Sequence, residues 1–406
     1  MKRVVSISSL VVLIALLSSP LFAAAQKEWT FAVFLNADNN LDPFGVEDQE
    51  EMSKIGSNDW LNIVTLIDRE RGPACYNLIE NGKVTKLEDL GEIDMGDHNR
   101  LVSFMKWVVT NYPAKKYSLT LWNHGSGWKQ AGRKIVRGIS YDDSSNNHIT
   151  TNQLARALKE IKGLIGHNLD ILNFDACLMQ MAEVIYACKG SCDYVVGSEE
   201  TEPGKGTPYD DVLKTLAQNS TPEAFSKTWV RAFAASYGKA KGSQGHEAST
   251  QSSFKVAAIG TLMDALDGFA KATMAGKFQK EFAAALGTVQ KFAYPENVDL
   301  VHLATLIKAS VKDPSMQTAC TKLLSACKAA IVANATTEIT MKKAKGLAIY
   351  FPSDSYSFED SYKSLDFCKA SQWDDMLSDF YKKKLGDRIL KALENSDVSP
   401  LRDFVA

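Results

Sequence analysis

Leu169-Asp170-Ile171-Leu172-Asn173-Phe174-Asp175-Ala176-Cys177-Leu178 is the stretch on which the reading of this chain turns. Residues 169–174 form a nearly continuous apolar run of strand length, the pattern of a strand buried on both faces of a sheet. The run delivers a cysteine just past its end. A second segment is built the same way: Leu119-Thr120-Leu121-Trp122-Asn123-His124-Gly125-Ser126-Gly127-Trp128. In an open α/β sheet, ligands bind outside the carboxyl ends of the strands, so two such ends predict one shared cleft. A cysteine nucleophile needs a base that takes the thiol proton and later protonates the leaving amine. Histidine suits that task because its ordinary pKa lies near neutrality. Gly125 has no side chain to obstruct a substrate carbonyl, and its N–H with that of Cys177 is the expected oxyanion hole. Residues 178–187 read as a helix starting just after Cys177, which would lower the thiol pKa.

Taken singly, each residue has a plainer explanation. A cysteine at a strand end is more often a small buried hydrophobe. Of the six histidines, His98, His148, His167 and His246 sit in polar surroundings and His302 in a helical pattern. Only His124 follows a strand and precedes glycine. The pairing carries the inference.

Working outward, residues 29–35, 61–67, 117–122 and 194–196 read as further strands, and 75–79 enters a hairpin through Asn81-Gly82. Helical periodicity over 101–109 and 151–161 alternates with them, which predicts an α/β fold with a mostly parallel sheet between helices. Past residue 211 the balance shifts. Stretches 222–236, 262–273, 278–292, 298–310 and 316–333 read as helices, with strand signals at 254–259 and 346–351. The expected division is a catalytic core over 26–211 and a C-terminal half over 212–406. That half is a helix-rich subdomain returning strands to the sheet.

The first residues are set apart. Lys2 and Arg3 precede an apolar run over 4–22, and Ala23-Ala24-Ala25 closes it, the layout of a signal peptide over 1–25 cleaved before Gln26. Its unbroken apolar part, 10–17, is short for a span of roughly 20 residues. No later stretch is apolar enough to span a bilayer, so no stable membrane insertion is expected, and export places the protein in the periplasm or outside the cell. A net charge of -2 across 406 residues gives no nucleic-acid footprint. Seven dispersed cysteines do not form the framework of a small stapled scaffold. Cys188 and Cys192 lack neighbours to complete a four-ligand zinc site.

Five segments together resemble the clostripain family of cysteine peptidases, within the wider caspase-like group. They are Asn36-Ala37-Asp38-Asn39-Asn40-Leu41, Leu121-Trp122-Asn123-His124-Gly125-Ser126-Gly127-Trp128, Phe174-Asp175-Ala176-Cys177-Leu178-Met179, Val196-Gly197-Ser198-Glu199-Glu200-Thr201-Glu202-Pro203-Gly204 and Gly346-Leu347-Ala348-Ile349-Tyr350-Phe351-Pro352. They run in family order over nearly the whole mature chain. The resemblance implies a caspase-like sheet, a His124–Cys177 catalytic dyad without need of a third catalytic residue, and endopeptidase action. Protein or peptide substrates are the implied partners, and the processed fragments are expected to stay together as a monomer. A non-catalytic binding protein and an acyl transferase or transpeptidase are the other readings of the same residues.

Family members tend to cleave after Arg or Lys, and Asp175 matches an acidic residue of their specificity pocket. Lys205 departs from that pattern. At a pocket floor it would repel a basic side chain and attract a carboxylate; its plainer role is a solvated loop lysine. Family members are often zymogens that cut themselves between the two strand ends. Over residues 132–151, a lysine-lined pocket predicts a cut after Asp142, Asp143 or an Asn, and a basic-specific one a cut after Lys134 or Arg137. Asp38-Asn39-Asn40-Leu41-Asp42 resembles the start of a calcium loop, yet Pro43 and Gln49 stand where an EF-hand needs glycine and glutamate. That motif is rejected, and Asp42 is expected as a helix N-cap. The chemistry requires no cofactor; calcium enters only because some relatives depend on it.

Overall fold

The computed structural model describes residues 26–130, 137–238, 242–337 and 339–394. The signal-peptide segment lies outside them. Fourteen strands occur among the described residues: β1 (Lys27–Ala37), β2 (Leu61–Arg69), β3 (Ala74–Glu80), β4 (Lys83–Gly91), β5 (Ala114–Trp122), β6 (Gly125–Gln130), β7 (Arg137–Asp142), β8 (Asn147–Ile149), β9 (Leu169–Asp175), β10 (Cys192–Gly197), β11 (Thr250–Lys255), β12 (Asn297–Asp299), β13 (Ile331–Thr336) and β14 (Ala348–Tyr350). Nine form the central sheet, in the order β13-β11-β10-β9-β5-β1-β2-β3-β4. The five inner strands, β10 to β2, are parallel, while the β3-β4 hairpin and the β11-β13 pair extend the two edges antiparallel.

The apolar runs explain this layering. In β1, Trp29, Phe31, Val33 and Leu35 pack into one core with Tyr209 and Trp229. Ala32 and Phe34 point the other way, into the core of Leu101, Phe104 and Leu154. A strand buried on both faces needs a helix layer on each side. Helices His98–Asn111 and Thr151–Ile165 supply one layer, and Asp42–Ser53 and Pro222–Tyr237 supply the other.

The C-terminal half is helix-rich, with long helices Ile259–Ala275, Leu300–Ser310, Pro314–Ala330 and Trp373–Glu394. It returns β11 and β13 to the sheet. One helix ends earlier than its sequence pattern suggests: β-branched Ile331 and Val332 open β13 rather than prolong the preceding helix. The late strand signal at 346–351 joins no edge of the main sheet. Instead β14 pairs with β12 in a separate two-stranded sheet and reaches Met181 through one parallel bridge.

Chain order places the cleft. From β1 the chain moves to β2 on one side and later to β5, β9 and β10 on the other, so the strand order reverses between β1 and β5. The crevice outside such a switch point is where ligands bind.

Candidate active site

Register brings the two predicted residues together. Trp122 is paired with Asp175 at the ends of β5 and β9, and the Asn123 N–H continues the ladder to Asp175 O at 3.2 Å. His124 and Cys177 therefore stand two residues past a matched pair on neighbouring strands. Both line one cavity of about 190 Å³ with Leu41, Trp122, Asp175 and Glu202.

Buried amides hold the histidine side. Asn123 donates to Asn36 O at 2.7 Å and Tyr141 O at 3.0 Å, and its Oδ1 accepts from Tyr141 N at 2.6 Å. Asn36 in turn donates to Ser140 Oγ at 3.1 Å. The ends of β1, β5 and β7 are thereby tied across one knot, at the base of the loop that presents His124. The imidazole Nε2 lies 2.7 Å from Asn40 Oδ1, on the loop after β1. Burial lowers its pKa from the ordinary histidine value, opposed by the negative charge of Asp143.

The cysteine side departs from expectation. No helix begins at Cys177. Leu178 takes a left-handed backbone, φ 65°, and the next helix starts only at Ala182. The intervening backbone is clamped instead, with Leu178 N–H on Glu200 O at 3.0 Å and Gln180 N–H on Ser198 O at 2.9 Å. Without a helix N-terminus, burial dominates and raises the thiol pKa, offset in part by the Glu202 N–H that reaches Sγ at 3.3 Å. Gly125 also has a second reason to be glycine: a Cβ there would lie 2.4 Å from Cys177 O.

Beneath the dyad the cavity is acidic. Buried Asp175 accepts from Tyr209 OH at 2.7 Å and from Thr207 N–H at 3.0 Å. Buried Asp48 accepts from Trp122 Nε1 at 2.6 Å. Burial drives the pKa values of Asp48, Asp175 and Glu202 upward, and Asp175 adds to the rise at both of the others. Gly206, at φ 57°, lets the loop pass close to Asp175, since a Cβ would sit 2.7 Å from Oδ1. Lys205 is corrected by its placement. It is exposed to solvent, and the cavity wall is made by Pro203, Gly204 and Gly206 on either side of it. An ammonium keeps its hydration there rather than entering a confined site.

Asp142 and Asp143, proposed from sequence as cut sites, differ in access. Asp142 is buried in β7 with Met95 N–H and Ser145 N–H on its carboxylate at 2.8 and 2.7 Å. Asp143 is exposed, and Lys134 lies outside the described residues. Asp42 is not an N-cap; it lies in the first helical turn and holds Arg69 bidentately at 2.6 and 2.9 Å. All seven cysteines are free thiols.

Oxygen ligands for a metal do converge, away from the rejected motif. Carboxylate oxygens of Asp38, Glu92 and Asp142 lie within 4.8 Å of one another. Crowding and burial raise Asp142 to about 6, and neighbouring Asp68 to about 8. The buried Asp68 Oδ2 has no hydrogen-bond partner among the described residues. This donor set fits a hard cation such as calcium. A larger cavity of about 790 Å³, beside Lys159, Tyr186 and Phe367, shares no residue with the dyad.

The family model described as "Clostripain family" matches residues 33–380, which includes both strand ends and most of the C-terminal half. This chain belongs to the clostripain family. It is 31% identical over 229 residues to clostripain of Hathewaya histolytica, a match covering 47% of this chain and 42% of that protein. The chain thus covers less than half the length of that relative. In fold it is similar to a secreted C11 cysteine protease of Bacteroides thetaiotaomicron solved with an irreversible peptide inhibitor. The TM-score there is 0.66 and the identity 19%, covering 86% of this chain and 99% of that one. An inactive zymogen C11 protease of Parabacteroides distasonis gives a TM-score of 0.67 at 20% identity, covering 85% and 98%. The caspase-like α/β fold read from the clostripain-family motifs is the fold these neighbours share.

Sequence reasoning singled out His124, Cys177 and Asp175, and the structure brings all three to one cavity. It missed Asp48 and Tyr209 as site residues, and named Asn40 and Glu202 only within motifs.

Proposed function

We propose that this chain is an exported cysteine endopeptidase, made as a zymogen, that cleaves after Arg or Lys. The observation carrying this reading is the pairing of β5 with β9, which sets His124 and Cys177 over a cavity floored by Asp175 and Glu202. Cys177 Sγ attacks the scissile carbonyl as His124 takes the thiol proton. Backbone N–H groups of Gly125 and Cys177 receive the oxyanion. His124 then protonates the leaving amine, and water, deprotonated by the same ring, hydrolyses the acyl-enzyme.

The basic preference follows from charge. Carboxyls crowded in a dry cavity are held partly protonated at a cost, and a guanidinium or ammonium of the residue before the cut lets them ionise. The test is a peptide library varied at that position. Arg and Lys should lead, and Asp175→Asn should lower kcat/KM for them by about 100-fold, the order expected for removing one partner of a buried charge pair. A preference for Asp or Asn in the wild type would overturn the basic pocket.

Self-processing follows the same specificity. The cut falls after Lys134, between β6 and β7, or after Arg137, the first residue of β7, and N-terminal sequencing of the processed fragment should read from Ile135 or Gly138. A start at Ser144 would instead favour the acidic alternative. Export is supported by the Lys2-Arg3 and Ala23-Ala24-Ala25 signal pattern and by the secreted relative. Among the described residues, no helix is long and apolar enough to cross a membrane. Calcium, where bound, would be held by Asp38, Glu92 and Asp142; it would screen their repulsion and fasten the loop after β1 to the end of β7.

A further inference from the structure

We infer that Asn40 is the positioning residue for the imidazole of His124, fixing the tautomer in which Nδ1 faces the thiol of Cys177 as the base. The inference rests on the dyad reading and deepens it. An amide oxygen only accepts, so Asn40 Oδ1, 2.7 Å from Nε2, accepts a hydrogen bond from Nε2–H, which keeps the proton on Nε2 and the ring lone pair on Nδ1. A ring held in the wrong tautomer cannot act as base, however close it lies.

The loop that carries Asn40 is rigidly anchored, which a positioning role requires. Asn39 Oδ1 accepts from Leu41 N–H at 2.9 Å, and Asn39 Nδ2 donates to Tyr141 O at 3.2 Å. Asp38 O accepts from Asp143 N–H at 3.0 Å, and its Oδ2 accepts from Ser144 N–H, also at 3.0 Å. Asn40 thus directly follows two residues bound to β7 and to its following turn. That strand also fixes Asn123, the residue before His124. Both ends of the Asn40–His124 bond are referenced to one strand.

Amide chemistry suits the site. A carboxylate at 40 would favour the imidazolium, whereas a neutral acceptor orients the ring without charging it. The titratable groups near the ring are Asp143 from the turn after β7, whose charge acts on it, and Cys177, Asp175 and Glu202, which line the same cavity. Asn40 is itself exposed, so its hydrogen bond adds little to stability. Loss of rate without loss of melting temperature is therefore diagnostic.

The experiment compares Asn40→Ala, Asn40→Asp and His124→Ala in the processed protein with an Arg peptide over a range of pH. Asn40→Ala should lower kcat about 10- to 100-fold with KM little changed, part of the usual contribution of a positioned base. Asn40→Asp keeps an acceptor, so it should recover most of the rate and move the acid limb of kcat/KM upward. Wild-type kcat in Asn40→Ala overturns the inference, as does an Asn40→Asp variant equally slow with an unmoved limb. Full activity in His124→Ala would instead overturn the dyad reading beneath it.

Discussion

Cys177→Ala is expected to lower kcat/KM for an Arg peptide by at least about 10⁴-fold while the protein stays folded. Removing the nucleophile of a hydrolase whose catalytic groups act as a unit commonly costs that much or more. The fold has little reason to respond. The thiol is a half-buried edge of the core, and its recorded contacts run to the Glu202 backbone rather than to a buried polar side chain. His124→Ala should cost about 10²- to 10⁴-fold, because the thiol then loses its base but keeps its cavity and oxyanion donors. Equal turnover in wild type and Cys177→Ala, after processing, would remove the enzyme reading altogether.

The same pair sets the pH profile. Burial lowers the pKa of His124 and raises that of Cys177, and both shifts favour the thiol and neutral imidazole over the ion pair. Only neutral His124 can accept the proton, and protonation at low pH therefore shuts the reaction off. The lowered pKa puts that acid limb below the ordinary value of about 6.5. Ionisation of the thiol at rest would make alkylation of Cys177 fast and flat across neutral pH; a neutral pair should make it slow and rising with pH.

The parts of the site legible in sequence were those carried by single apolar strands. Residues 119–122 and 169–174 announce buried strands because both faces of each must be apolar, and the reactive residues lie within two positions of their ends. The helix expected after Cys177 failed for a tertiary reason. Leu178-Met179-Gln180-Met181 is helix-prone composition, but its backbone donors are claimed by the carbonyls of Ser198 and Glu200, and Gln180 O by Ala348 N–H. Asp48, Tyr209 and Glu202 reach Asp175 from three separate elements, and no local pattern encodes that convergence. Lys205 misled because sequence shows that a loop is charged, not which way each side chain turns. Its neighbour Gly206 faces Asp175 and Lys205 faces water.

Gly125→Ala should slow the enzyme about as much as the mildest loss expected for His124→Ala, through packing alone. A Cβ at 125 would stand 2.4 Å from Cys177 O, 3.0 Å from Ala176 Cβ and 3.1 Å from Cys177 N. Two of these are backbone atoms, which cannot swing aside as a flexible side chain would. The Cys177 segment cannot simply retreat either, because Glu200 O holds Leu178 N–H and the Glu202 N–H holds Sγ on the far side. The added methyl must displace either the nucleophile or the His124 turn, and an error of about 1 Å in such a constellation costs about 10²-fold. Overpacking should also destabilise the protein by about 1–3 kcal/mol, seen as a lower melting temperature. Gly163 supplies the control. It lies in the helix Thr151–Ile165, where an added Cβ meets nothing within 4 Å, so Gly163→Ala should keep full activity and gain up to about 1 kcal/mol from helix propensity. Binding of the basic residue before the cut should survive in Gly125→Ala, since Asp175 and Glu202 are untouched, so kcat falls while KM holds. A Gly125→Ala enzyme with wild-type kcat would mean that the close approach of the two strand ends is not the geometry in which the reaction occurs.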